Sequence, residues 1–376
     1  MEFKLIIKKL NNSLSKQEEN IFSIWYNESI SHRDYYNNVK ENYGNEAIEV
    51  DLEKGWRELN KKLKARKKGF SYYKYAAAAA IILLITLPFA LKKTDFNFEK
   101  TPSVTQQPIL PGSDKAILTL GDGTQIALEK GKKYSNSKVN SDGENLVYNT
   151  DSGRAKETLV AYNYLTIPRG GQFFIQLSDA TKVWLNSESQ LKYPVAFAKG
   201  KTRQVELVYG EAYFDVSPSS DHNGADFKVF NNKQEIHVLG TEFNIKAYKD
   251  ETNIYTTLIE GKVTVNYDGK KKSLIPSQQS ILNSNNNLLI KTVDVYNEIS
   301  WKEGVFSFED KSLKEIMKVL SRWYDMEVIF QNKAVEEEEF IGILEKDQKI
   351  EEILINIKNF GIINDYEIKN KKVVLE

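Results

Sequence analysis

The pattern of apolar and polar positions changes three times along the 376 residues of the chain. Residues 1–70 place apolar side chains at helical spacing, whereas residues 75–91 are apolar throughout. Between residue 116 and about residue 292, apolar and polar residues alternate as they do in half-buried strands. From residue 301, strand-like runs are interleaved with two helical stripes. The pattern therefore predicts a multidomain chain whose parts differ in secondary structure.

The apolar run from Tyr75 to Leu91 carries no charge between Lys74 and Lys92. Its seventeen residues would cover about 25 Å as a helix, slightly less than a hydrocarbon core of about 30 Å. Tyrosines before the run and a lysine on either side suit the two membrane interfaces. We expect one transmembrane helix over residues 73–93, although a buried, alanine-rich core helix would give a similar run.

The charges beside this run predict its orientation. Seven basic residues precede it within residues 61–74, whereas the lysines that follow it are interleaved with Asp95 and Glu99. The positive-inside rule therefore places residues 1–72 in the cytoplasm and the larger C-terminal part outside. A small inner part and a large outer part joined by one helix are typical of a signalling protein.

Residues 1–72 are expected to form a small all-α domain. Ser15 and Glu18 fit a capping box, and later caps introduce further short helices. Trp25 and Trp56 would be core residues of this domain, or else anchors for a partner helix. Residues 94–115 hold three of the eight prolines without periodicity, so we expect them to be a linker.

Residues 116–298 are expected to form an all-β domain. Several segments place a glycine at a bend before an alternating strand, as at Gly210, Gly240 and Gly261. Such recurrence predicts a β-solenoid-like stack or an elongated sandwich. The polar residues 134–158 are interpreted as an insertion with one short strand.

Residues 299–376 are expected to form a compact α+β module. A strand at residues 305–308 precedes a helix that Ser312 would cap, and a second helix carries Ile350, Ile353 and Ile357. The predicted order of elements is βαβ-βαββ, with two helices on a small sheet.

Composition excludes several classes of function. The 52 basic and 52 acidic residues cancel, so the overall charge predicts no direct nucleic-acid partner. The chain has no cysteine, and its three histidines lack metal-ligand spacing, so neither a metal nor a cofactor is expected. Asp122 and Asp179 could be a glycosidase pair, but each lies in a turn where aspartate commonly bonds its own backbone. We therefore expect no enzymatic active site.

Two positions are candidates for cleavage. A threonine hydroxyl can attack the preceding carbonyl, and glycine adopts the strained turn that this reaction needs, so Gly240–Thr241 is a candidate for self-cleavage. An ordinary glycine bend before a strand is the alternative. Pro88 removes a helical hydrogen bond within the apolar run, which gives a hint of an intramembrane cleavage site.

The sequence resembles a known family over nearly its whole length. Residues 164–265 look like a FecR-type domain, in YLTIPRGGQFFIQLSDATKVWLNSES, RQVELVYGEAYFDV, IHVLGTEFNIKAY and LIEGKVTV. The tail from Trp301 resembles the C-terminal module of these proteins, which is related to the short N-terminal domain of TonB-dependent transducers and secretins. The segment IWYNESISHRDYYNNVKENY fits the family's cytoplasmic part, and the order of parts is that of the Bacteroidetes type.

The resemblance implies a single-pass inner-membrane anti-sigma factor of iron- or glycan-uptake systems, with its C-terminal domains in the periplasm. Its implied partners are an extracytoplasmic-function sigma factor, the signalling domain of a TonB-dependent outer-membrane transducer, and periplasmic and intramembrane proteases. Some relatives cleave themselves at the position of Gly240 and Thr241. The sigma-binding candidates are Trp25, Tyr26, Tyr35 and Trp56.

Two other functions stay open at this stage. One is a membrane-anchored periplasmic glycan-binding protein or enzyme on a β scaffold, which would need a groove of clustered aromatic and carboxylate residues. The other is a structural tether between two membranes. The sequence gives neither the inducing ligand nor the oligomeric state, and it leaves open whether residues 1–72 only inhibit the sigma factor or also assist it.

Overall fold

The computed structural model describes residues 108–149, 161–231 and 233–376, together with part of the segment from residue 6 to residue 40. It divides into two compact units, residues 6–106 and residues 107–376 with the first five residues, and each is described by itself.

In the N-terminal unit one helix is described over most of its length, α1 at Lys16–Glu28. Phe22 and Trp25 lie one turn apart on α1 and are buried together with Ile6. Tyr26 is half-buried and contacts the rings of Phe22 and Tyr36. A small apolar cluster therefore holds α1 against neighbouring helical residues.

The β domain comprises eighteen strands between residues 113 and 292. In chain order they are β1 Ser113–Thr119, β2 Gln125–Glu129, β3 Tyr134–Ser135, β4 Val139–Ser141, β5 Asn145–Tyr148, β6 Tyr162–Ile167, β7 Gly171–Gln176, β8 Lys182–Leu185, β9 Ser189–Pro194, β10 Arg203–Asp215, β11 Phe227–Asn231, β12 Gln234–Val238, β13 Glu242–Ala247, β14 Ile254–Glu260, β15 Val263–Tyr267, β16 Lys270–Leu274, β17 Gln278–Leu282 and β18 Leu288–Thr292.

These strands form two series of pairs that share β10. The first half of β10 pairs with β9 and β11, in the order β2-β1-β6-β9-β10-β11-β12-β15-β16. Its second half pairs with β8 and β13, in the order β3-β4-β5-β7-β8-β10-β13-β14-β17-β18. Apolar side chains from both series meet in one core. The two series of strands therefore pack against each other around a shared core.

Gly210 allows β10 to pass from one series to the other. The pairing shifts between Leu207 and Tyr209, and Gly210 follows with φ of +98°. A Cβ at Gly210 would lie 2.4 Å from the Cα of Ser189. Only glycine fits this bend, because both the backbone angle and the space exclude a side chain.

A buried ion pair ties the β7–β8 turn to the start of β10. Arg203 is 1% exposed, and its Nη1 donates to Asp179 Oδ2 at 2.8 Å and to the carbonyl oxygen of Ser217 at 3.0 Å. Its Nη2 donates to the carbonyl of Ala225, and its guanidinium lies over the ring of Phe227. Such a pair mainly fixes geometry, because its attraction is offset by the cost of desolvating both charges.

The C-terminal module comprises residues 295–375. Its elements are α2 Val295–Ile299, β19 Val305–Ser312, α3 Leu313–Trp323, β20 Glu327–Phe330, β21 Glu339–Glu345, α4 Ile350–Asn359, β22 Tyr366–Lys369 and β23 Lys372–Leu375. Ser312 is the N-cap of α3, as the sequence predicts, and Glu315 completes a capping box with it. β19 pairs with β21, and the order β20-β23-β22 forms a second small sheet. The buried faces of α3 and α4 pack together with both sheets.

The fold class expected from the sequence is wrong. The described residues are mostly β, and they show neither a small all-α N-terminal domain nor a stack of repeated coils. The recurring glycine bends lie where the chain passes between the two series of strands. Similar turns therefore do not mark the repeated coils of a β-solenoid. Residues 134–158 are expected from the sequence to be an insertion with one short strand, but the described part of this segment, residues 134–149, contributes β3, β4 and β5 to the sheet.

The expected transmembrane helix over residues 73–93 and the candidates Tyr35, Trp56 and Pro88 lie outside the described residues. Of the linker expected over residues 94–115, residues 108–115 are described, and the last three of them already belong to β1. Among the helices that are described, none is long and apolar enough to cross a membrane.

Candidate functional site

A cavity of about 390 Å³ lies where the C-terminal module packs against the β domain. The β domain contributes polar side chains, among them Glu211, Lys246 and Glu251. The module contributes Trp301 and Arg322. We call this region, with the contacts described below, the joint.

Arg322 is the central residue of the joint. It lies in the last turn of α3 and is 3% exposed, which is unusual for a charged side chain. Its Nη1 lies 2.8 Å from Glu251 Oε1 and its Nη2 lies 2.5 Å from Asp250 Oδ1, both in the β domain. The guanidinium carbon lies 3.7 Å from the ring centroid of Tyr248. With a third carboxylate, Glu188 Oε2 at 3.5 Å from its Nε, the buried charge gains three ion pairs and a cation–π contact across the joint.

These contacts change the titration of both partners. Burial alone would lower the pKa of Arg322, but Tyr248 and the neighbouring carboxylates have the larger effect. The pKa of Arg322 is therefore raised. Burial alone would raise the pKa of Glu251, but the positive charges of Lys246 and Arg322 have the larger effect. The pKa of Glu251 is therefore lowered. The pair therefore stays ionised throughout the physiological pH range.

The β domain also caps the end of α3. Arg169, in the β6–β7 turn, donates from Nη2 to the carbonyl oxygens of Ser321 at 2.7 Å and Met326 at 2.9 Å. The next residue, Gly170, donates its N–H to the carbonyl of Arg322 at 2.7 Å. The last carbonyls of a helix lack partners within it, and a cation beside them is favourable. The module is thus docked through backbone as well as side-chain contacts.

Glu211 lies beneath the cavity and is fully engaged by the protein. Its carboxylate accepts from Asn186 Nδ2 at 2.9 Å and from Asn244 Nδ2 at 3.0 Å. Burial raises the pKa of Glu211, although Lys246 and the two amides oppose the change. Glu251 is likewise paired with Lys246 at 3.0 Å and with Arg322. The cavity combines aromatic and carboxylate residues, as the glycan-binding alternative requires, but these two carboxylates are already bound by protein side chains.

Lys346 is a second buried cation of the joint. It follows β21, is 4% exposed, and lies 3.8 Å from the ring centroid of Trp323. Its Nζ donates to Gln172 Oε1 of β7 at 2.6 Å and to the carbonyl of Trp301 at 3.2 Å. Among the described residues, no carboxylate forms an ion pair with it. Burial therefore lowers its pKa to about 7, although Asp114 and Glu211 oppose the change.

Gly240 and Thr241, the candidates for self-cleavage, lie at the start of β13. Gly240 has φ of +151°, and a Cβ there would lie 2.9 Å from the Cα of Pro218. Thr241 is 5% exposed and its Oγ1 donates to the carbonyl of Lys262 at 3.1 Å. The bond thus lies in a tight turn that only glycine can make, with the hydroxyl held beside it.

The other predicted residues have simpler positions. Trp25 is 7% exposed and belongs to the core of its unit, whereas Tyr26 on the same helix is half-buried. Asp122 accepts from the N–H of Thr124, and Asp179 accepts from the N–H and hydroxyl of Thr181. This confirms that both aspartates belong to turns. The described part of the chain holds no cluster of three or more metal-ligating residues.

The sequence prediction missed the joint. Arg322 binds residues 71 and 72 positions away, so no local pattern marks the pair. The one available signal was a basic residue within the last, strongly apolar turn of α3.

The buried lysine predicts a pH dependence. The unfolded chain keeps the Lys346 proton up to about pH 10.5, whereas the folded protein loses it above about pH 7. The free energy of unfolding should therefore rise with pH between these values, by up to about 1 kcal/mol per pH unit. Lys346→Met should flatten this rise between pH 7.5 and 9.5 in urea unfolding curves. Lys369→Met, which changes an exposed lysine of the module, should leave the slope as it is; equal slopes for the wild type and Lys346→Met would contradict the assignment.

Comparison with known proteins agrees with this architecture. Residues 163–264 match the family model described as FecR protein, and residues 305–375 match the one described as FecR, C-terminal. Two crystal structures of a candidate anti-sigma factor from Parabacteroides distasonis, at 1.65 and 2.50 Å resolution, resemble the chain. Each is 27% identical, covers 57% of this chain and 98% of its own, and has a TM-score of 0.51. No curated protein matches significantly.

The two family matches fall on the two partners of the joint, the β domain and the C-terminal module. The chain therefore carries both FecR family domains, the FecR domain at residues 163–264 and the FecR C-terminal domain at residues 305–375.

Proposed function

We propose that this FecR-family protein is an anti-sigma factor, a non-enzymatic regulator that holds a sigma factor inactive until a signal arrives. The observation that carries the proposal is the likeness of the chain to both FecR domains and to the solved candidate anti-sigma factor. In this proposal residues 1–72 bind an extracytoplasmic-function sigma factor in the cytoplasm.

The sensing part of the proposed protein is the β domain with its docked module. The signalling domain of a TonB-dependent outer-membrane transducer would bind the module, and β20 and β22 each leave one edge of their sheet unpaired. An added partner strand is a common mode of recognition at such edges. The transducer would shift the joint only by binding one of its arrangements more tightly than another.

The location at the cytoplasmic membrane stays a prediction of the sequence. It places the N-terminus in the cytoplasm and the β domain in the periplasm, and it rests on residues 61–100. Digestion of the β domain by protease added to intact spheroplasts is the expected result, and its full protection would contradict this location.

Release of the sigma factor by proteolysis is the last part of the proposal. It would involve self-cleavage at Gly240–Thr241, periplasmic proteases, and an intramembrane protease acting near Pro88. The strained conformation of Gly240 supports the first of these.

A binding experiment tests the sigma-factor role. Residues 1–72 should capture the extracytoplasmic-function sigma factor encoded beside this gene, when the two are co-expressed and purified. Tyr26→Ala removes a half-buried aromatic side chain and should weaken capture about tenfold. Asn27→Ala, an exposed neighbour on α1, is the matched control and should bind as the wild type does. Failure of the wild-type segment to bind this sigma factor would end the proposal.

A gel experiment tests self-cleavage. Thr241 Oγ would attack the Gly240 carbonyl carbon, the C–N bond would break as the nitrogen takes the hydroxyl proton, and water would then hydrolyse the ester. Purified protein should give two fragments that meet at residues 240 and 241, and Thr241→Ala should abolish them. Thr124→Ala alters a second Gly–Thr bond, in an open turn, and should change nothing. A single intact band after long incubation of the wild type would contradict self-cleavage.

A further inference from the structure

One lysine of the C-terminal module lies between two aromatic rings of the β domain. The Nζ of Lys302 lies 4.9 Å from the ring centroid of Trp184 and 4.4 Å from that of Tyr213. The centroids of the two rings are 5.7 Å apart in an edge-to-face arrangement, and the ring of Phe174 also contacts Trp184. Because Lys302 is half-buried, its attraction to the rings is less weakened by water than on an open surface.

Tyr213 carries this contact further into the β domain. Its side chain is 2% exposed and its hydroxyl donates to the Glu242 carboxylate. Burial and the neighbouring Glu242 carboxylate raise the pKa of Tyr213, so the phenol stays a donor at physiological pH. Tyr213 thus contacts the module through its ring and β13 through its hydroxyl.

Glu242 is the residue that directly follows Thr241. β13 begins at Glu242, which lies opposite Asp215 of β10. The carbonyl of Thr241 accepts from the N–H of Val216 at 3.2 Å. The Glu242 side chain is therefore held by Tyr213 at the point where the Gly240 turn enters the strand.

We propose that Lys302 is a positioning residue, through which docking of the C-terminal module fixes the start of β13 and with it the Gly240–Thr241 peptide. The contacts run from Lys302 to the ring of Tyr213, from its hydroxyl to Glu242, and from there along one peptide to Thr241. When the module leaves the joint, Tyr213 loses the cation over its ring, and the turn before β13 becomes freer to open.

The meaning of this coupling for sigma-factor release rests on the proposed function, but the coupling itself does not. A contiguous set of contacts is not yet a coupling, and non-additive effects of paired substitutions are the direct measure. Local opening can be followed by amide exchange in the purified full-length protein, without a sigma factor or a cleavage reaction.

The experiment is hydrogen–deuterium exchange, read by mass spectrometry on peptides that cover residues 239–246. Lys302→Met keeps an unbranched side chain and removes the charge, and it should speed exchange there about three- to tenfold. Tyr213→Phe, which removes only the hydroxyl, should speed the same amides. In the double variant, the increase in exchange rate over the wild type should be smaller than the product of the increases in the two single variants. Lys302→Arg should restore slow exchange, because a guanidinium also binds aromatic faces.

Lys192→Met is the matched control. Lys192 also lies over two rings, those of Tyr162 and Tyr164, but it belongs to β9 in the other series of strands. It should leave exchange over residues 239–246 unchanged. Wild-type exchange in Lys302→Met, or faster exchange spread evenly over the whole β domain, would overturn the proposal. Loss of sigma capture by residues 1–72 would overturn only the proposed function.

Discussion

Docking of the C-terminal module depends on one buried guanidinium. Removing Arg322 from water costs several kcal/mol, and Asp250, Glu251 and the face of Tyr248 offset that cost only while all three are in place. Removal of a single partner from such a group typically costs about 3–5 kcal/mol, because a buried charge is left unpaired. The joint is therefore well suited to two distinct arrangements, docked or released, rather than to gradual sliding.

Two lysines of the C-terminal module have different parts in this arrangement. Lys346 is buried without a carboxylate partner, so its protonation near neutral pH works against docking. Lys302 is seated on aromatic rings and connects the module to the strand that follows Gly240–Thr241. A regulator of this kind needs a docked state that is stable but that a partner can still reverse. The ion pairs of Arg322 stabilise the docked state, whereas burial of the charged form of Lys346 destabilises it.

Local features of the fold could be predicted from the sequence, whereas its long-range pairing could not. The alternation of apolar residues predicts strands throughout the β domain, and Ser312 as an N-cap predicts the start of α3. The sharing of β10 between two series of strands depends on a bend at Gly210 and on contacts far apart in the chain. Glycine bends looked like a coil repeat because turns of either architecture need the same backbone angles. The joint escaped prediction for the same reason, since Arg322 and its carboxylates are brought together only by the complete fold.

The central claim is that docking of the C-terminal module at the joint controls the proposed release of the sigma factor, and transcription in cells tests it most directly. Full-length protein with Arg322→Met should change uninduced transcription from a promoter of the neighbouring sigma factor by about fivefold or more, at equal protein level. Lys314→Met alters an exposed lysine of the same helix, which pairs with Glu336 within the module, and should leave transcription as in the wild type. Transcription that is the same in Arg322→Met and the wild type would contradict the account.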